Sequence, residues 1–269
     1  MNIAALDVDG TLYEGTLGFS LLDELRSSGL VDPVAVRHVR DTMGAHRAAG
    51  ARFRDTTGRA SAAYARAMEG VRHEDAVRAS HAAWRKVRHR LLASTVPLVE
   101  SLRRRRFTPV LLSGSPQEMI DRMAGELGIA HRFGMRLATG PDGTYTHRFL
   151  TLPAVPEVKA ELLCTLAARL GAGLGTALAV GNSASDRVLL GAVGHPVAFE
   201  PDDTLRALAH GAGWTIADRH TLVPLVNALG ASSPGASSPR TPAPSTRRPV
   251  PVPAQAVSRL ERNLHAHSS

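Results

Sequence analysis

The stretch Asp7-Val8-Asp9-Gly10-Thr11-Leu12 closes a short apolar run at residues 3–8, and its reading decides the fold. An apolar run that is continuous rather than alternating is what a strand covered on both faces of a parallel sheet requires. Two acids leave the C-terminal end of that strand, where open α/β sheets place their sites. At positions i and i+2 of an extended segment Asp7 and Asp9 point to one face, and Gly10 permits the sharp turn that follows. One carboxylate of such a pair can attack while the other handles a proton. Taken alone, Asp-x-Asp-Gly also fits a turn or a calcium-binding loop.

Working outward, further apolar runs at residues 109–112, 177–180 and 197–199 read as buried strands. Between them lie helical patterns: Val99 with Leu102, then Met119, Met123 and Leu127, then Leu162, Leu163, Leu166 and Leu170. Alternating strands and helices predict an α/β fold, a doubly wound parallel sheet. The first two strands are about a hundred residues apart, whereas a simple βα connection needs only a few tens. An insertion is therefore expected, and its patterns are helical: Leu21, Leu22 and Leu25, a segment opening at Pro33, Tyr64 with Met68, and Trp84 with Leu91 and Leu92. The expected organisation is a core at residues 1–15 and 93–230, an α-helical cap at 16–92 inserted after the first strand, and a tail at 231–269. From about 231 to 257 the tail is Ala, Ser, Pro and Arg without apolar periodicity, the composition of a disordered segment. Residues 257–264 carry a short helical pattern.

Three later segments carry chemistry. Val110-Leu111-Leu112-Ser113-Gly114-Ser115 ends a strand in a hydroxyl and a glycine, with Pro116 at the start of a helix. Ser113 can donate to a phosphoryl oxygen and Gly114 lets a backbone N–H approach another, beside the positive end of the helix dipole. Lys159 follows a helix start near Pro156. It is one of only two lysines, the other being Lys86, among 32 Lys and Arg residues, which hints that a compact ammonium is wanted there. Such a Lys neutralises a phosphoryl group and favours an ionised Asp7. Last, Ala179-Val180-Gly181-Asn182-Ser183-Ala184-Ser185-Asp186 runs from a strand into a polar turn.

These four segments, in this order and over nearly all of residues 1–225, resemble the motifs of the haloacid dehalogenase (HAD) superfamily. The cap after the first strand, with a hairpin-like Pro141-Asp142-Gly143-Thr144-Tyr145-Thr146, resembles subfamily IB, the phosphoserine phosphatase-like group. The resemblance implies a Rossmann-like core and a Mg2+-dependent phosphatase that hydrolyses a small-molecule phosphomonoester through an aspartyl-phosphate. Asp7 is then the nucleophile and Asp9 the general acid and base. Thr11, Ser113, Gly114 and Lys159 would hold the phosphate, and Asp7, Asp9, Asn182 and Asp186 would supply the metal site. Asn182 departs from the family, which usually has Asp there; a neutral amide brings one negative charge less to a hard cation. Two other readings are a catalytically silent phosphate-binding homologue and a phosphotransferase. Thr16 stands where phosphoserine phosphatases carry a Glu for the substrate amine, so phosphoserine itself is less well supported than the subgroup. Arg52, Arg54, Arg59 and Arg66 are candidates for an anionic substrate group, with a solvated helix face as the commoner role for such residues.

Composition narrows the classes. A formal charge of +8 would suit nucleic acid, but apart from residues 103–106 the basic residues are scattered and aromatics make up only 4%. Five Arg and one Glu in the tail account for about half of that charge. Neither a nucleic-acid nor a membrane partner is expected, and oligomeric state is left open. The N-terminus lacks a basic segment followed by a long apolar stretch, so the chain is expected to be soluble and cytoplasmic. Lone Cys164 is expected as a small buried helix residue, and Lys86 as a surface residue.

Overall fold

A computed structural model describes residues 1–48 and 53–229, with side chains described outside 45–57. The expectations for the tail, for its short helical pattern and for Arg52 and the Arg54 side chain lie outside the described residues.

The central strand is β1 (Asn2–Leu6), and Ile3, Ala4, Ala5 and Leu6 are fully buried, as the continuous apolar run requires. β2 (Phe107–Pro116) and β5 (Leu178–Gly181) flank it in parallel, with Leu6 opposite both Leu111 and Val180. β3 (His131–Thr139) and β6 (His195–Phe199) extend the sheet in parallel on either side, β7 (Thr215–Ala217) ends one edge, and β4 (Tyr145–Thr151) ends the other, antiparallel to β3. The order β4-β3-β2-β1-β5-β6-β7 reverses direction at β1. The C-terminal end of β1 therefore faces the crevice at the switch point, where an open α/β sheet binds ligands. The doubly wound Rossmann-like sheet expected from the sequence is the one observed, with a single antiparallel edge strand.

Helices cover both faces. α7 (Pro156–Leu170) and α8 (Arg187–Gly191) border the cluster built on Ile3, Ala5, Val110 and Leu112. α5 (Thr95–Arg104), α6 (Gln117–Leu127) and α10 (Leu222–Ala228) border the opposite face, while α9 (Asp203–Ala212) packs near β6 and β7. Pro156 opens α7, where its missing N–H costs nothing. Cys164 is exposed on α7 rather than buried, because Leu163, Leu166 and Ala167 take the inward stripe.

Four helices separate β1 from α5: α1 (Leu17–Ser27), α2 (Pro33–Ala48), α3 (Phe53–Met68) and α4 (His73–Val87). α1 packs on α4 and α2 on α3. Their buried residues, Leu21, Leu22, Leu25, Tyr64, Met68 and Trp84 among them, belong to the same apolar cluster as Leu6, Leu111 and Val180. Leu91 and Leu92 do not continue the helix of Trp84. α4 ends at Val87, Leu91 bridges antiparallel to Tyr13, and the Leu92 N–H donates to Leu12 O at 3.0 Å. The chain thus enters and leaves the four helices through a paired two-stranded link, reinforced by Glu14 N–H to Arg90 O at 2.9 Å.

A second tie joins the α3–α4 turn to the β3–β4 hairpin, the element whose turn matches residues 141–146. Gly70 N–H donates to Tyr145 O at 2.9 Å, Tyr145 N–H to Val71 O at 2.8 Å and His73 N–H to Gly143 O at 3.0 Å. Tyr145 also donates to Glu118 at the start of α6.

Candidate active site

The backbone fixes Asp7 first. Its N–H donates to Val180 O at 3.0 Å, which carries the ladder one residue past β1 and aims the carboxylate at the end of the sheet. Val8 O then accepts from Thr11, Leu12 and Tyr13, turning the chain, and Gly10 adopts φ +83°. A side chain there would be strained and would overlap the Asn182 amide, so Gly10 also brings the first and last motifs into contact.

Asp7 is buried with two partners: Lys159 Nζ donates to Oδ1 at 2.6 Å and Thr11 Oγ1 donates to Oδ2 at 2.8 Å. Lys159, 2% exposed, also donates to Asp186 Oδ1 at 2.6 Å. One ammonium therefore sits between two carboxylates. Burial alone would lower the Lys159 pKa, but the charges of Asp186 and Asp7 outweigh it and raise that pKa. For Asp7 the balance runs the other way. Burial and the like charge of Asp186 raise its pKa to about 7 against the pull of Lys159, and Asp9 adds to the rise. The pocket floor holds more negative charge than Lys159 neutralises.

That excess is the condition a divalent cation relieves, so the site fits Mg2+. Asp7, Asp9 and Asn182 line one cavity and are the residues that would hold it. Asp186 is placed differently: with Oδ1 on Lys159, its Oδ2 accepts from the backbone N–H groups of Asn182 at 3.0 Å and Ser183 at 3.1 Å. It braces the loop that presents Asn182 and anchors the ammonium that faces Asp7. Among the described residues no group of three His, Cys, Asp or Glu side chains is placed to hold a metal ion.

Asp9 faces the cavity from the other side of the turn. Its Oδ1 accepts the Leu17 N–H at 3.0 Å and its Oδ2 accepts from Ser115 Oγ at 2.5 Å, while Ser115 Oγ accepts the Gly18 N–H at 3.2 Å. Asp9 and Ser115 together satisfy N–H groups at the start of α1, which otherwise lack partners. Neither Ser115 nor Asp202 stood out in the sequence. Asp202 caps α9 through Leu205 N–H at 2.7 Å and fixes the last-motif loop through Ala184 N–H at 3.2 Å. The signal for Ser115 was its spacing of two from Ser113 on one strand; Asp202 resembled only an ordinary helix cap.

Gly114 and Lys159 line the same cavity as Asp7, Asp9 and Asn182, whereas Thr11, Ser113 and Asp186 lie buried behind its wall. Ser113 Oγ accepts the Ser115 N–H at 3.0 Å, which fixes the backbone in the last residues of β2. Gly114 passes close to Ala154, and a Cβ there would sit 3.0 Å from the Ala154 methyl. Arg59, Arg66 and Lys86 are exposed, Lys86 paired with Glu24 at 2.5 Å, and none of the three lines the cavity.

Two carboxylates and a buried ammonium thus meet at the switch point of the β-sheet. The chain belongs to the haloacid dehalogenase-like hydrolase family, whose pattern matches residues 4–191. It is 35% identical over 116 residues to the "Inhibition of morphological differentiation protein" of Streptomyces azureus, covering 43% of this chain and 42% of that protein. Against "Phosphoserine phosphatase SerB1" of Mycobacterium tuberculosis it is 33% identical over 129 residues, 45% of this chain and 42% of the other. The chain thus matches less than half the length of these curated relatives. In fold it is similar to a Bordetella pertussis protein of unknown function, with TM-score 0.69, 23% identity and coverage of 81% and 98% of the two chains. The phospho-aspartyl intermediate analogue of phosphoserine phosphatase superposes with TM-score 0.59 at 17% identity, covering 81% and 93%. Among the described residues no helix is long and apolar enough to cross a membrane.

Proposed function

We propose that the chain is a Mg2+-dependent phosphatase that hydrolyses a small-molecule phosphomonoester through an aspartyl-phosphate on Asp7. The observation that carries this reading is the pairing of Asp7 and Asp9 on one cavity with Lys159 2.6 Å from Asp7. Bound Mg2+ would supply charge neutralisation between the carboxylate and the phosphoryl group. Asp7 attacks phosphorus while Asp9 gives its proton to the leaving alcohol oxygen; Asp9 then takes a proton from the water that attacks the acyl phosphate and frees Asp7. Lys159 and the Gly114 N–H stabilise charge on the phosphoryl oxygens, and Thr11 keeps the Asp7 carboxylate in one orientation. The helices at residues 16–92 act as the cap that shields the acyl phosphate from bulk water. Relatives named as a phosphoserine phosphatase and as a probable phosphatase support the reaction class.

The competing reading, binding without turnover, is favoured by Asn182 alone. Phosphate release from a panel of phosphomonoesters with and without Mg2+, with Asp7→Asn as control, separates the two. Metal-dependent release that vanishes in the variant supports the phosphatase; a folded protein that binds phosphate and releases none supports the silent homologue.

A further inference from the structure

The cavity that holds Asp7 and Asp9 extends to about 700 Å³, a size that admits ligands much larger than an amino-acid phosphate. Its polar chemistry is concentrated at the sheet end. The wall supplied by the helices and by β3 is mainly apolar, with Phe19, Val39, Met43, Ala60, Tyr64 and Met135; its polar groups are the hydroxyl of Ser61 and the buried Tyr64 Oη, which has no hydrogen-bond partner among the described residues. Val39, Ala60, Tyr64 and Met135 are themselves buried, so this is a built apolar surface rather than a scatter of exposed side chains.

Charge is distributed against an anionic leaving group. Among the described lining residues the cation is Lys159, which already lies between Asp7 and Asp186. The carboxylates Asp202 and Asp203 stand on the rim. Of the described cations beside the lining residues, Arg40 lies 4.7 Å from the centroid of the Phe19 ring and pairs with Asp23 at 2.6 Å, and Arg90 lies against Gly15 and over the Tyr13 ring at 5.4 Å. A carboxylate entering this wall would lose its hydration without a described cation free to pair with it.

We propose that the substrate is a phosphomonoester of an uncharged, mainly apolar alcohol, whose hydrocarbon body lies against Phe19, Val39, Met43, Ala60, Tyr64 and Met135. This rests on the phosphatase reading and specifies its leaving group. The phosphoryl end meets the polar floor, and specificity comes from burial of the alcohol, so binding grows with apolar length until the wall is covered.

The test is kcat/KM of the full chain with Mg2+ for a series of n-alkyl phosphates from ethyl to octyl, beside phosphoserine. Burial of one methylene stabilises by about 0.8 kcal/mol, so the expected rise is roughly fourfold per added carbon over the first several members. Butyl phosphate is expected to exceed phosphoserine by more than tenfold. Met43→Glu, a change at a half-buried position, is expected to flatten the series. A series without slope, an unchanged slope in Met43→Glu, or phosphoserine preferred over the alkyl esters overturns the proposal while leaving the phosphatase intact. Release from none of the esters overturns the phosphatase reading, and this inference falls with it.

Discussion

Removing the Lys159 ammonium tests the electrostatic account of the site. Lys159→Met keeps the length of the stem but leaves Asp7 and Asp186 facing each other without the cation that each now meets at 2.6 Å. Breaking a buried ion pair by deleting one partner costs about 3–5 kcal/mol, because the remaining charge is buried unpaired. Protonation limits that loss, since a carboxyl whose folded pKa rises above its unfolded value binds a proton the unfolded chain releases. Such a group costs no stability below the unfolded pKa and progressively more as pH rises toward the folded one. Asp7, already raised to about 7 with the ammonium present, rises further without it. The variant's stability should therefore fall with pH more steeply than wild type, by up to about 1.4 kcal/mol per pH unit for each extra proton retained. Urea denaturation in EDTA at pH 5.5 and pH 8 measures it. Relative to wild type the variant should lose about 1.4 kcal/mol or more of stability between the two pH values, because wild-type Asp7 gives up its proton near 7 whereas the variant keeps it. A loss under about 1 kcal/mol that does not change with pH would refute the picture of one cation between two buried carboxylates.

Mg2+ should raise the melting temperature more at pH 8 than at pH 5.5, because it takes up Asp7 in the ionised form that the metal-free site disfavours below about 7; Asp7→Asn should abolish that difference in a calorimetric scan. Gly10→Ala, at φ +83° against the Asn182 amide, should cost about 1–3 kcal/mol by chemical denaturation and lower turnover more than it lowers stability. Ser115→Ala removes the 2.5 Å bond to Asp9 Oδ2; kcat should drop roughly tenfold with a displaced pH profile and little change in KM, the signature of a positioning residue. Asn182→Asp should tighten Mg2+ binding in isothermal titration, and unchanged affinity would remove Asn182 from the metal site.

The strands that the sequence made visible are those buried on both faces. Residues 3–6, 110–112, 178–180 and 197–199 are continuous apolar runs because helices cover them above and below. β3 and β4 carry exposed charged positions such as Arg136 and Arg148, since they form the edge hairpin, and β7 is three residues long; neither pattern stands out from a loop. Leu91 and Leu92 continued a helical spacing that the backbone abandons in order to pair with Leu12 and Tyr13, a long-range contact no local pattern encodes. The site divides in the same way. Asp7 and Lys159 stood out as candidates because they lie just past a strand end and just inside a helix start, and Ser113 because a hydroxyl and a glycine close the apolar run of β2. Ser115 did not, because its partner Asp9 lies 106 residues away in the chain. Asp186 was legible as an acid of the last motif, whereas its bond from Lys159, 27 residues away, is a contact no local pattern encodes.

The central claim is that Asp7 becomes covalently phosphorylated. The most direct measurement is acid quenching during turnover of a radiolabelled aryl phosphate with Mg2+, followed by peptide mapping, in wild type, Asp9→Asn and Asp7→Asn. The account predicts hydroxylamine-labile label on the peptide containing Asp7, more of it in Asp9→Asn, where hydrolysis of the acyl phosphate loses its base, and none in Asp7→Asn. Phosphate release that persists in Asp7→Asn, with no label on the wild-type peptide, would contradict it.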